Sequence, residues 1–166
     1  MLDVPTTNPR LNMAHATPQD APLVLAFLVK LMTYQKMPDE VTATPDRIAR
    51  LLRDGHAEAV FAKWDGVPVG LLFFSPTSSA YTGRTGLFID CFYVDQGLRG
   101  QGIGKAMMAY LSQLSLDRGG EMLEWGCLDW NQPTIDFYES LGAYCLDTMR
   151  IYRLPPDRLA ALEKQV

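Results

Sequence analysis

The sequence is poor in the residues and runs that mark most specialised chains. Its three cysteines, Cys91, Cys127 and Cys145, are an odd number without C-x-x-C spacing, and its only histidines are His15 and His56. A disulfide framework and a metal site are therefore not expected. A free Cys in an apolar segment is more often a small buried hydrophobe than a nucleophile. The longest purely apolar run, residues 21–29, is nine residues interrupted by Pro22, whereas crossing a bilayer takes about 20. No membrane partner follows from it. Residues 1–10 have no basic stretch leading into an apolar one, which argues against a secretory leader and makes cytoplasmic residence the expectation. Basic charge is also in deficit: 15 Lys plus Arg stand against 19 Asp plus Glu, a formal net charge of −4. That balance disfavours nucleic acid as a partner and suits a cationic small molecule.

What is present is an ordinary globular composition, with 48% hydrophobic and 20% charged residues in 166. This length builds one sizeable core, so residues 1–166 are read as a single domain, with a core at about 11–154 and a short C-terminal helix at 156–164. No internal repeat, linker or low-complexity stretch interrupts it.

Helix starts are written at Thr17-Pro18-Gln19-Asp20 and Thr44-Pro45-Asp46, where a Thr can cap and a Pro at the first turn gives up no needed N–H. Leu23, Phe27, Leu31 and Tyr34 recur at helical spacing behind the first, and Ile48, Leu51 and Leu52 behind the second. Residues 10–16 alternate weakly as a first strand. Residues 58–63 and 67–74 are apolar runs separated by Trp64-Asp65-Gly66, a tight-hairpin signal because Asp-Gly tolerates positive φ. Further strands are predicted at 85–94, 122–128 and 144–154. Between them, Ile103, Met107, Tyr110, Leu111 and Leu114 mark one helix, and Ile135, Tyr138 and Leu141 another, entered at Asn131 and closed by Gly142. The order β-α-α-β-β-β-α-β-α-β predicts a mixed α/β sheet with helices packed on its faces.

Between the strand ending at Val94 and the helix from Ile103 lies Arg99-Gly100-Gln101-Gly102-Ile103-Gly104. Glycines let backbone N–H groups turn toward one point, and a helix N-terminus adds about half a positive charge there. Arg99 and Lys105 add side-chain charge in a chain that is otherwise acidic. The ligand is not a nucleotide of the usual kinds. Gly97 and Gly102 have the first spacing of a P-loop, but Ile103 and Gly104 stand where Lys and Ser/Thr belong, and Lys105 takes the third glycine position of a dinucleotide fingerprint. A glycine-rich turn without a ligand is the bland alternative.

The stretch from Val94 to Gly104 resembles the acyl-CoA pyrophosphate loop, R/Q-x-x-G-x-G/A, of the GNAT N-acetyltransferase superfamily, matched by Arg99, Gly102 and Gly104. Asp129-Trp130-Asn131-Gln132-Pro133-Thr134-Ile135-Asp136-Phe137-Tyr138-Glu139-Ser140-Leu141-Gly142-Ala143 resembles that superfamily's N-x-x-A/S-x-x-F-Y-x-x-x-G-F/A segment. Within it, Leu31-Met32-Thr33-Tyr34-Gln35-Lys36-Met37 and Ile89-Asp90-Cys91-Phe92-Tyr93-Val94 are similar to the diamine acetyltransferases of spermidine/spermine and thialysine type. Asp90 stands there for a Glu, Cys91 for an Asp and Gln35 for an acidic residue.

The resemblance implies a mostly antiparallel central sheet with an acyl-CoA cleft between splayed strands, and a homodimer. It implies acetyl-CoA as co-substrate, held by Phe92, Tyr93, Val94, Arg99, Gly100, Gln101, Gly102, Ile103, Gly104, Lys105, Asn131 and Thr134. The Val94 N–H would polarise the thioester carbonyl, as a backbone oxyanion donor does, and Tyr138 would protonate the departing thiolate. Asp90, with Tyr34 and Gln35, would meet the small-molecule amine. An alkylamine near pKa 10.4 arrives mostly protonated, so Asp90 is read as attracting it and passing its proton through water. The alternatives stay open: Tyr138 as a core tyrosine, Asp90 as a solvated or paired strand residue, Tyr34 as core packing. A different acceptor (an amino acid, an aminoglycoside, a protein N-terminus) and a non-catalytic acyl-CoA-binding module are the rival functions.

Overall fold

The computed structural model describes residues 3–163. Six strands form one sheet in the order of the chain: β1 (Asp3–Pro5), β2 (Leu11–His15), β3 (Glu58–Trp64), β4 (Val67–Ser78), β5 (Thr85–Val94) and β6 (Met122–Trp125). Every neighbouring pair is antiparallel except β5 and β6, which are parallel. Among the described residues five α-helices accompany them: α1 (Ala21–Tyr34), α2 (Pro45–Arg53), α3 (Ile103–Asp117), α4 (Gln132–Ser140) and α5 (Pro156–Glu163). The chain clusters into two compact units that divide between Gly126 and Cys127. The first carries the sheet with α1 to α3; the second carries α4 and α5.

Inside the first unit the sheet is covered on both faces, which is why β4 reads as the unbroken buried run 69–74 and not as an alternation. One face buries Ala59, Phe61, Leu71, Phe73, Cys91 and Tyr93 against Ala21, Val24 and Phe27 of α1 and Ile48 of α2. Strand alternation turns Val60, Leu72 and Phe74 to the other face, where α3 packs: a Cβ added at Gly70 would lie 3.0 Å from the Met107 sulfur.

The local signals act as their chemistry requires. Asp65 and Gly66 take φ of 50° and 82° at the β3–β4 turn, and Trp64 pairs with Val67 across it. The Thr44 side chain accepts from the Arg47 N–H at the start of α2. At Thr17 the entry is a 3-10 turn, Pro18–Asp20, before α1 begins at Ala21; the Asp20 carboxylate accepts from the Thr17 N–H at 2.8 Å.

Four strand expectations differ from the structure. β4 runs on to Ser78, past the predicted 74. β1 precedes the predicted first strand. β6 ends at Trp125, short of the predicted 128, with Gly126 following. The strand predicted at 144–154 does not form: none of these residues is in a strand, and Tyr144, Met149, Ile151 and Tyr152 are exposed. Strand propensity needs a partner ladder, and the described residues of the second unit contain no strand. The predicted C-terminal helix is α5, its expected last residue, Lys164, lying outside the described residues together with the ends of the predicted single domain.

Candidate active site

The ladder of β5 with β4 runs on to Gly70↔Val94, but its ladder with β6 stops at Ile89↔Trp125. Residues 90–94 thus extend beyond the end of β6. The peptide groups there have defined directions. The Asp95 N–H donates to the Val69 carbonyl on β4 at 2.8 Å, whereas the Val94 carbonyl accepts from Arg99 Nε at 3.3 Å. Successive residues of a strand alternate in direction, so the N–H and carbonyl of Val94 both face away from β4.

Asp90 is placed by a bulge. The β4–β5 register steps from Phe73↔Cys91 to Phe74↔Ile89, which makes Asp90 the additional residue on β5. Bulges re-aim side chains at functional edges, and Asp90 is exposed between the buried Ile89 and Cys91. Cys91 faces the core with α1, and burial pushes its thiol far above the ordinary range. It is a packing residue and no nucleophile.

From Val94 the chain makes a 3-10 turn, Gln96–Leu98, and reaches α3 through Arg99, Gly100 and Gln101. Gly100 and Gly102 have φ of +80° and +79°, with Gly102 at the N-cap of α3. A Cβ at either would meet nothing within 4 Å, so the space in front of the first turn is open. That turn has no acidic residue, and Lys105 lies in it, exposed. The one carboxylate at the loop's entry, Asp95, is paired with Lys30 Nζ at 2.8 Å. Open left-handed glycines, an uncontested helix N-terminus and two cations fit an anion the size of a pyrophosphate.

Helix α1 is tied to this loop at two points one turn apart. Lys30 reaches Asp95 and also lies 4.6 Å above the Phe27 ring. Tyr34 lies under Arg99, whose guanidinium carbon is 4.3 Å from the ring centroid. Tyr93, edge-on to Phe27 with centroids 6.1 Å apart, has its phenol pushed up by burial and by the neighbouring Asp95 carboxylate. Gln35, half-buried, caps the C-terminal end of α1, its N–H donating to the Leu31 carbonyl. Phe92 is half-buried on β5.

The second unit holds the other predicted site residues. Asn131 is buried at the N-cap of α4, and there its side chain makes no capping hydrogen bond. The helix entry expected at Asn131 is made by its backbone, whose carbonyl accepts from the N–H groups of Thr134 and Ile135, both at 3.0 Å. Thr134 is half-buried. Tyr138 is the buried residue of α4, with its ring 5.5 Å from that of Phe137. The first unit thus carries the glycine loop, the strand end and the exposed Asp90, and the second carries the buried Asn131 and Tyr138.

Sequence reasoning missed Lys30 and Asp95. A signal was there: Lys30 is the only charged residue of α1 and stands one helical turn before Tyr34.

Compared with known proteins, residues 25–143 match the model of the acetyltransferase (GNAT) family. The chain is 30% identical over 135 residues to thialysine N-epsilon-acetyltransferase of Bos taurus, a stretch covering 72% of this chain and 76% of that one. It is 30% identical over 100 residues to L-ornithine N5-acetyltransferase NATA1 of Arabidopsis thaliana, covering 60% of this chain but only 44% of that relative's length. Among solved structures, an aminoglycoside acetyltransferase from an uncultured soil metagenomic sample superposes with a TM-score of 0.76 at 19% identity, over 90% of this chain and all of the other; at that identity it speaks for the fold. With the family match running from α1 to just past α4, the chain belongs to the GNAT acetyltransferase family.

Proposed function

We propose that this chain transfers the acetyl group of acetyl-CoA to a primary amine of a small molecule, a diamine, polyamine or lysine-like acceptor, by direct attack within a ternary complex. The observation that carries the reading is the loop of open, left-handed glycines at the start of α3, with Arg99 beside it. It supports an acyl-CoA whose pyrophosphate meets Arg99, Gly100, Gln101, Gly102, Ile103, Gly104 and Lys105.

Acetyl-CoA supplies the activated thioester, and the chain's own groups do the rest. Phe92, Tyr93 and Val94 offer a strand edge to the pantetheine arm, as a strand accepts an added one. The Val94 N–H, turned away from β4, is the oxyanion donor. Asn131 and Thr134 complete the cofactor set. Asp90, exposed on its bulge, draws in the ammonium group and passes its proton to water; Tyr138 supplies a proton to the departing sulfur. The amines in the names of the relatives, thialysine and ornithine, support this acceptor class, as does the net charge of −4. The whole chain is proposed to act as one domain in the cytoplasm. A homodimer is the proposed assembly, supported by the exposed Tyr144, Met149, Ile151 and Tyr152.

A second reading keeps the fold and changes the acceptor. Gln35 stands where the resembling family has an acid, which favours a less cationic amine. Pure protein is therefore incubated with acetyl-CoA and spermidine, putrescine, thialysine, lysine, other amino acids and an aminoglycoside. Products and free CoA are separated chromatographically, because the exposed Cys127 and Cys145 would react with a thiol dye. An acetylated diamine or thialysine supports the first reading and an acetylated amino acid or aminoglycoside the second. Binding of acetyl-CoA with no turnover on any amine would favour a non-catalytic module.

A further inference from the structure

Arg99 is held in an arrangement that spends little of its hydrogen-bonding capacity. Its guanidinium carbon lies over the Tyr34 ring, 4.3 Å from the centroid, and among the described residues only Nε donates, to the Val94 carbonyl at 3.3 Å. A ring that holds a guanidinium by cation–π attraction engages its charge and leaves its terminal N–H groups available to other acceptors. The two terminal nitrogens make no hydrogen bond among the described residues, and the residue is exposed. They form the fork that meets a phosphate in bidentate fashion.

Tyr34 is in turn fixed against the loop. One turn earlier on α1, Lys30 is anchored to Asp95 at 2.8 Å and over Phe27, so the helix cannot rotate the ring from under Arg99 without breaking an ion pair. The covered face also bears on the amine. An ammonium group seeks an aromatic face, but this one carries a cation that would repel it.

We propose that Tyr34 is a positioning residue of the acyl-CoA site, holding the Arg99 guanidinium at the loop that meets the pyrophosphate, and not a contact for the amine acceptor. This role presupposes that residues 99–104 bind the pyrophosphate, and the experiment separates the two. Acetyl-CoA affinity is measured by calorimetric titration on the full chain for wild type, Tyr34→Phe, Tyr34→Leu, Arg99→Ala and the Tyr34→Leu/Arg99→Ala double variant, each with a thermal melt.

Phe keeps the face and should bind like wild type. Leu removes it and should raise the acetyl-CoA Kd about threefold to fivefold, the scale of an exposed cation–π contact. In the Arg99→Ala background Tyr34→Leu should change nothing further. A Kd within twofold of wild type for Tyr34→Leu, beside a weakened Arg99→Ala, overturns the positioning role and leaves the loop reading intact. An equal loss with and without Arg99 also overturns it, since Tyr34 would then act through the fold. No effect of Arg99→Ala also overturns the positioning role, and acetyl-CoA affinity of Gly102→Trp then decides whether the loop binds the pyrophosphate. Under turnover with thialysine or spermidine, Tyr34→Leu should raise the acetyl-CoA KM and leave the amine KM unchanged; the reverse split would return Tyr34 to the acceptor.

Discussion

Replacing Gly102 separates what the loop does for the fold from what it does for a ligand. Gly102 has φ +79° and ψ 0°, and a Cβ there would meet nothing within 4 Å. The cost of Gly102→Ala to the free protein is therefore torsional, about 1 kcal/mol for a non-glycine residue in the left-handed region. In a chain of this length that lowers Tm by about 2–4 °C. Binding should lose more. A methyl at the N-cap stands where an anion approaches the first turn, and keeping it off two N–H donors forfeits two charge-assisted hydrogen bonds, about 3 kcal/mol together and so about a hundredfold in Kd. Gly102→Trp should abolish acetyl-CoA binding in a protein that still folds. Gly97→Ala is the internal control, because Gly97 has no positive φ and equal room; it should change neither property. The assay is a thermal melt with and without acetyl-CoA, in which a bound ligand raises Tm by mass action, backed by calorimetric titration. Wild-type affinity in folded Gly102→Trp would refute the loop as the acyl-CoA site.

Tyr138→Phe should lower turnover by about a hundredfold with acetyl-CoA affinity unchanged, read by steady-state kinetics and titration; unchanged turnover would remove Tyr138 from proton transfer. Gly70→Ala should destabilise the protein by about 1–3 kcal/mol in a denaturant melt, since its Cβ would sit 2.9 Å from the Tyr93 carbonyl oxygen. Stability should also fall in acid. Burial of His15 holds its pKa below the ordinary 6.5, and the two Arg118 hydrogen bonds hold Glu58 below 4.5. In both cases the unfolded chain binds protons more readily, so each contribution is complete above the unfolded pKa and fades as pH falls through the folded one. His15→Gln should flatten the limb that begins near pH 6.5 and leave the one below about pH 4.5; an unchanged upper limb in urea melts across pH would sink the assignment.

What was legible in the sequence was local. The Asp65-Gly66 turn, the Thr44 cap, the stripe of α3 and the glycine loop are each written within a few consecutive residues, and each depends on the backbone preference of those residues alone. Features that depend on distant partners were not legible. The bulge that sets out Asp90 arises from register between β4 and β5, and no residue type marks it. Residues 144–154 show the converse: their β-branched and aromatic content reads as a strand, yet a strand exists only where another offers its ladder. β1 escaped because three residues ending in Pro5 carry too little pattern, and Pro is tolerated there because the strand lies at the sheet's edge.

The candidate site divides along the same line. The loop's glycines and Arg99 were legible as a local pattern, whereas Tyr138 and the amine reading of Tyr34, with core packing as its alternative, came from the family resemblance, because a helix end names no partner. The partner is Arg99, 65 residues later, and the ion pair that fixes the contact, Lys30 to Asp95, spans another 65. Both ties join α1 to the loop before α3, so, on the proposal above, the helix that the family resemblance associates with the acceptor supports the anion site. A change at α1 should therefore appear first in the acetyl-CoA constants. This consequence distinguishes a shared scaffold from two independent pockets: were the pockets independent, substitutions at Lys30 and Tyr34 would move only the amine constants, and the Lys30–Asp95 pair would be an ordinary surface bridge worth about 0–1 kcal/mol in stability and nothing in cofactor affinity.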